Sequence, residues 1–222
     1  MKRALAAATV VVLCVAVPAA VTAQKPPKQP KQPKQPGQLS LSGAPNPVKF
    51  GKSVTISGKL TGPSKANKDV TLSEDPFPVD DLTRVGTATV DEQGNYAFVR
   101  SPTVNTRYQV RQGGLESEIL TVSVSPRVSL RVGDRTPAAG KRVRFSGRVC
   151  PQHDGASLAI QRRRAPKRWR TVAQVVTADA GDECSTYSRR RRVRRDGVYR
   201  AFFSGDADHA AASSRARRID VH

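Results

Sequence analysis

Acidic residues, aromatics, cysteines and long apolar runs are all scarce in this chain of 222 residues. Aromatics make up 5%, with one tryptophan, and hydrophobic residues 37%. Only one long uncharged run occurs, so a polytopic membrane protein is excluded. Three cysteines are too few for a disulfide-dense miniprotein, and 16 glycines and 16 prolines without a strict triplet period exclude a collagen-like chain. Eighteen Asp and Glu face 38 Lys and Arg, a formal net charge of +20. What remains is an exported, two-domain, β-rich protein with an excess of cations.

The uncharged run is residues 4–23, behind Lys2-Arg3. Its apolar centre, Pro18 and the small-residue exit Val21-Thr22-Ala23 together read as a secretory signal peptide over 1–23, cleaved before Gln24. Retention as an anchor is the alternative, since 20 uncharged residues could just span a bilayer. No transmembrane span is expected in the mature form, which would be secreted or attached to the cell envelope. Residues 24–38 then repeat Lys-Gln-Pro at Lys28, Lys31 and Lys34. Proline at every third position favours extended polyproline II and builds no core, so this segment is expected to be a disordered linker. At ~3.1 Å per residue it would reach about 45 Å.

The rest repeats itself with an offset near 89 residues. Gly51-Lys52-Ser53-Val54-Thr55-Ile56-Ser57-Gly58 matches Gly140-Lys141-Arg142-Val143-Arg144-Phe145-Ser146-Gly147. Leu39-Ser40-Leu41 matches Val128-Ser129-Leu130, Val70 and Leu72 match Leu158 and Ile160, and Tyr108 matches Tyr199. The pattern places one domain over 39–126 and a second over 127–222. Within the matched runs apolar and polar residues alternate with period two, as in half-buried strands. Turn residues punctuate them at 44–47, 61–63, 91–95, 112–114 and 179–182. Short strands, frequent turns and about 90 residues per unit favour an all-β chain of two sandwiches.

Three motifs give a family likeness. They are Gly-x-x-Val-x-(Ile/Phe)-Ser-Gly in both copies, Asp91-Glu92-Gln93-Gly94-Asn95-Tyr96, and Asp196-Gly197-Val198-Tyr199-Arg200-Ala201. Both units resemble the bacterial immunoglobulin-like or fibronectin-III-like modules of secreted and surface proteins. The resemblance implies tandem sandwiches that bind or space rather than catalyse, and it assigns Tyr108 and Tyr199 as structural tyrosines. In such domains a tyrosine near the start of one strand returns its hydroxyl to the backbone. The likeness departs at Ala201, where antibody domains carry a cysteine, and at Trp169, which is not placed as their core tryptophan is.

In an oxidising compartment Cys150 and Cys184 are expected to form a disulfide. A metal site using Cys150 and His153, three apart, lacks its second half. His153, His209 and His222 sit in no nucleophile motif, and no phosphate-binding glycine loop occurs. Gly205-Asp206-Ala207-Asp208-His209 reads as a polar turn rather than a cation loop. Glu74-Asp75 and Asp80-Asp81, flanking Pro76-Phe77-Pro78, read as a solvated loop. No cofactor or metal is expected, and no enzyme, with an enzyme or enzyme inhibitor that uses the sandwich loops as the less favoured alternative.

The charge is uneven. Residues 39–126 are net neutral, whereas residues 127–222 carry +14, with 21 arginines. One cluster is Arg162, Arg163, Arg164, Lys167, Arg168 and Arg170, read as a hairpin tip with Pro166 in the turn. The other is Arg189, Arg190, Arg191, Arg192, Arg194 and Arg195. Four consecutive arginines in a buried strand would leave charge unpaired, so 189–192 are expected on an exposed edge, with Tyr187 and Val193 turned inward. Two interpretations compete: a solvated surface that blocks edge-to-edge strand pairing, or a site for an anionic polymer or envelope surface. No helical recognition motif or stacking platform points to sequence-specific nucleic acid. A monomer is expected.

Overall fold

The computed structural model describes residues 37–62, 65–166 and 168–222. The predicted signal segment over 1–23, the linker as far as residue 36 and Lys167 lie outside the described residues. Twenty strands and no helix occur among the described residues, so none is long and apolar enough to cross a membrane as a helix.

The first half contains β1 (Ser42–Ala44), β2 (Val48–Lys49), β3 (Val54–Lys59), β4 (Asp69–Pro76) and β5 (Thr83–Thr89). It continues with β6 (Asn95–Arg100), β7 (Thr106–Gln112), β8 (Leu115–Glu116), β9 (Leu120–Val122) and β10 (Val124–Ser125). One antiparallel sheet runs β1-β3-β6, a second runs β5-β4-β7 with β8 and β9 along β7, and β2 pairs with β10 in parallel. The period-two pattern accounts for the layering. Val54 and Ile56 of the first sheet and Val70, Leu72, Tyr108 and Val110 of the second are all fully buried in one core.

The second half contains β11 (Arg127–Val128), β12 (Arg131–Val132), β13 (Arg142–Cys150), β14 (Ser157–Ala165) and β15 (Arg168–Val176). β16 (Ala178–Asp179), β17 (Ser185–Arg192), β18 (Gly197–Phe203), β19 (Ala212–Ser213) and β20 (Arg217–Ile219) complete it. Here β11 and β12 pair with β13 in the sheet β13-β17-β16, and β15-β14-β18 forms the other sheet, with β19 and β20 along β18. Phe145, Val149, Leu158, Ile160, Ala201 and Ile219 are fully buried in this second core. Each of these side chains other than that of Ala201 contributes about 1.5–3 kcal/mol of burial.

The matched Ser-Gly pairs have a structural reason. Gly58 lies opposite Tyr96 and Gly147 opposite Tyr187 across their sheets. Over each glycine a tyrosine hydroxyl donates to a backbone carbonyl, Tyr96 to Ser40 and Tyr187 to Ser129, the latter at 2.5 Å. The same serines are fixed twice more, because Lys59 N and Arg148 N each donate to a serine Oγ at 2.9 Å. Tyr108 and Tyr199, the expected structural tyrosines, make no such bond among the described residues. Both are buried core residues, but the Tyr108 hydroxyl finds no hydrogen-bond partner, and the hydroxyl-to-carbonyl bonds belong to Tyr96 and Tyr187.

A correction concerns the acidic stretch. Glu74 and Asp75 are part of β4 rather than a solvated loop. Arg100 holds Glu74 at 2.9 Å, and Asp75, 3% exposed, is paired with Arg107. Their partners are 26 and 32 residues away in sequence, beyond the reach of any local pattern.

Candidate functional site

β14 carries the core onto the site. Its inward side presents Leu158 and Ile160, both fully buried, and the same side continues with Arg162 and Arg164. The strand therefore outruns the apolar core, and its pairing with β15 is irregular after Ile160 and at Arg164. Arg162 lies opposite Tyr199 on β18 and Arg170 on β15. In the facing sheet β17 turns Tyr187 inward, and Arg191, four residues on, emerges on that side opposite Val143. The Arg191 guanidinium donates to the Val172 carbonyl of β15, linking the two sheets. Beyond β17, Val193 is buried and its backbone is tied to Gly140 and Lys141 at 2.7 and 3.0 Å, which fixes Arg194 and Arg195 beside it.

These elements enclose an open cavity of about 510 Å3, and Arg162, Arg164, Arg170, Arg191, Arg192, Arg194 and Arg195 line it together with Tyr199. No carboxylate lines the cavity, and none of the seven arginines forms an ion pair among the described residues. The nearest acid in sequence, Asp196, is used otherwise. Its carbonyl accepts from Arg162 at 2.5 Å, and its carboxylate accepts from Val221 N at 2.7 Å. Arg162 reaches Asp196 by lying across Gly197, where a Cβ would strike its Nε and the Tyr199 ring. That Nε is buried without a partner. Burial pushes the Tyr199 phenol above its usual range, and the charges of Arg162, Arg191 and Arg195 pull it part of the way back. The chemistry of such a pocket is anion binding: guanidinium forks hold phosphate, sulfate or carboxylate oxygens.

The structure thus joins the two arginine clusters, whose nearest members are about 20 residues apart. It does not use all of them. Arg163, Arg168, Arg189 and Arg190 are exposed and do not line the cavity. The hairpin between β14 and β15 has Pro166 in its turn, as expected. Residues 187–192 of β17 pair only with β13 and form a free edge. Trp169 is stacked by Arg200, whose Cζ lies 4.3 Å from the ring centroid, so this cation–π pair belongs to the structure of the sheet.

Cys150 and Cys184 form a disulfide. His153, His209, Asp206 and Asp208 also converge, at the opposite end of the second half from the arginines. The expected polar turn lies between β18 and β19, but its histidine is 3% exposed rather than solvated. Sequence inspection had no signal for this meeting, because His153 and His209 are on loops 56 residues apart. No protein-family model matches the chain, and no curated protein matches its sequence.

Proposed function

We propose that the protein is a secreted, non-catalytic pair of immunoglobulin-like β-sandwich modules whose second module holds an anionic envelope or extracellular polymer in the arginine-lined cavity. The convergence of seven arginines on one cavity with no lining carboxylate carries this reading. A merely solvated surface has no need to gather like charges on the inner side of strands that otherwise build a core. In mechanism, the two sheets act as rigid jaws, with Tyr199 as the floor and the guanidinium groups clamping successive phosphate or carboxylate groups. The near-neutral first module serves as spacer. Strand orders β1-β3-β6 against β5-β4-β7 and β11-β13-β17 against β15-β14-β18 support the sandwich reading, because the same succession recurs in both halves.

The test compares two charge-matched variants of the full secreted chain on immobilised anionic polysaccharide and phosphate polymer. R164Q/R170Q removes two cavity arginines, and R163Q/R190Q removes two exposed ones outside it. We expect the first to weaken binding by ~10-fold or more at about 0.15 M salt, and the second by no more than about 2–3-fold. Equal losses, or no binding by the wild type at that salt, would make the charge incidental.

A further inference from the structure

A second, independent cluster lies where the two halves meet. His153, in the loop after β13, packs its ring against Phe203 with centroids 4.8 Å apart and against His209 at 4.6 Å. The His153 and His209 side chains are 5% and 3% exposed. Each has one ring nitrogen on a backbone carbonyl: His153 Nδ1 is 2.7 Å from Pro151 O, and His209 Nε2 is 2.9 Å from Thr103 O. A carbonyl only accepts, so these nitrogens carry the hydrogens. In the neutral rings the lone pairs are therefore on His153 Nε2 and His209 Nδ1, and both atoms are buried without a hydrogen-bond partner.

Both lone pairs are turned toward carboxylates. His153 Nε2 is 3.4 Å from Asp206 Oδ2, and His209 Nδ1 is 3.9 Å from Asp206 Oδ1 and 3.3 Å from Asp208 Oδ2. One donor atom each from His153, Asp206 and His209 falls within 4.8 Å of the others. Two buried nitrogen lone pairs set against carboxylate oxygens are unfavourable unless a proton or a metal cation lies between them. Metal bonds of ~2.0–2.1 Å in a tetrahedron place ligand atoms about 3.3–3.4 Å apart, which the His153–Asp206 and His209–Asp208 spacings match, while the His209–Asp206 distance of 3.9 Å would have to shorten. The surroundings are also built. His153 N donates to Ser185 Oγ at 2.7 Å, the Thr177 hydroxyl caps the His153 carbonyl, and His209 N donates to Asp206 Oδ1 at 2.8 Å. Backbone carbonyls that anchor the second ring nitrogen in this way are the outer shell that orients histidine metal ligands.

We infer that His153, His209, Asp206 and Asp208 form a binding site for a divalent first-row transition ion such as Zn2+. Two imidazoles and two carboxylates suit that group, whereas Ca2+ and Mg2+ take oxygen alone. His153, Asp206 and His209 supply three ligands, and Asp208, 3.3 Å from His209 Nδ1, stands where it can take the fourth position of a structural site. The ion would fasten the loop after β13 to the loop after β18. Through the His209–Thr103 bond it would also steady the contact with the first half, where Asn105 N donates to Asp208 O at 2.8 Å.

The experiment uses the full secreted chain without a polyhistidine tag, stripped with chelator and titrated with Zn2+ by calorimetry. Co2+ follows as a spectroscopic probe of four-coordinate geometry. We expect one ion per chain, a higher melting temperature with Zn2+, and binding weakened at least ~100-fold in D206N and about 10-fold or more in D208N. Both aspartates are partly exposed, at 37% and 41% of the side chain, so these variants should fold, which their metal-free melting temperatures check. Absence of saturable one-to-one binding in the wild type, or unchanged affinity in D206N, would overturn the site. The second outcome would assign any bound metal to adventitious ligands, and the first would leave the cluster as histidine–aspartate contacts that bind no ion.

Discussion

Gly58 and Gly147 are not at positive φ, so backbone freedom does not explain them. What explains them is space. A Cβ on Gly147 would overlap the Ser129 carbonyl and the Tyr187 hydroxyl, and one on Gly58 would overlap their counterparts Ser40 and Tyr96. Because the obstructing Ser129 and Ser40 atoms are backbone, Gly147→Ala must displace β13 or its neighbour. We expect a loss of about 2–4 kcal/mol, measured by denaturant unfolding. Tyr187→Phe keeps the ring and removes only the hydroxyl, so its cost should be nearer 1–2 kcal/mol, about that of leaving the Ser129 carbonyl short of a donor. A Gly147→Ala chain as stable as wild type would refute the close-packing account. The repeated Ser-Gly was visible in the sequence, but its partners were not. Tyr96 and Tyr187 belong to the adjoining strands, and pairing register is a tertiary property.

Strand alternation was legible wherever one face met water and the other the core, as in β3 and β13. It could not say where along a strand the core stops. Leu158, Ile160, Arg162 and Arg164 are a single series in period two, yet the first pair is core and the second lines a cavity. The cavity was therefore hidden in a pattern that reads as an exposed hairpin tip. The edge strand was more legible, since four successive arginines suit no buried position. Residues 189–192 of β17 leave one side of their backbone unpaired. Charged edges of this kind resist strand addition. Replacing Arg189 and Arg190 by valine, at positions outside the cavity, should promote edge-to-edge association, seen as a concentration-dependent mass increase in light scattering. If the double variant remains monomeric at all concentrations, the edge needs no protection, and the arginines there have some other purpose.

The whole second half has two poles. β13 runs from Arg142 to Cys150 and β17 returns alongside it from Ser185 to Arg192, so Cys150 and Cys184 share one end with His153 and Phe203, while Arg191 and Arg192 share the other with Arg162 and Arg164. The first pole faces the first half through the Ala210 N–Val124 O bond at 2.7 Å, and the second is open to solvent. The disulfide was readable from the two cysteines beyond the predicted signal segment together with the expected oxidising compartment, but its neighbours give it a second task. Ser185, directly after Cys184, holds the backbone of His153, so the cross-link positions the loop that carries one of the proposed metal ligands. C150S/C184S should then do two separable things. Opening a loop of 34 residues should lower stability by about 3 kcal/mol or somewhat more, and the freed His153 loop should weaken Zn2+ binding in calorimetry well below the melting temperature. Polymer binding at the arginine pole should stay within about 2-fold of wild type at the same temperature, because no strand register there depends on the bridge. If polymer affinity fell together with metal affinity, the two poles would be one coupled unit, and the arginine jaws would owe their spacing to the far end of the second half.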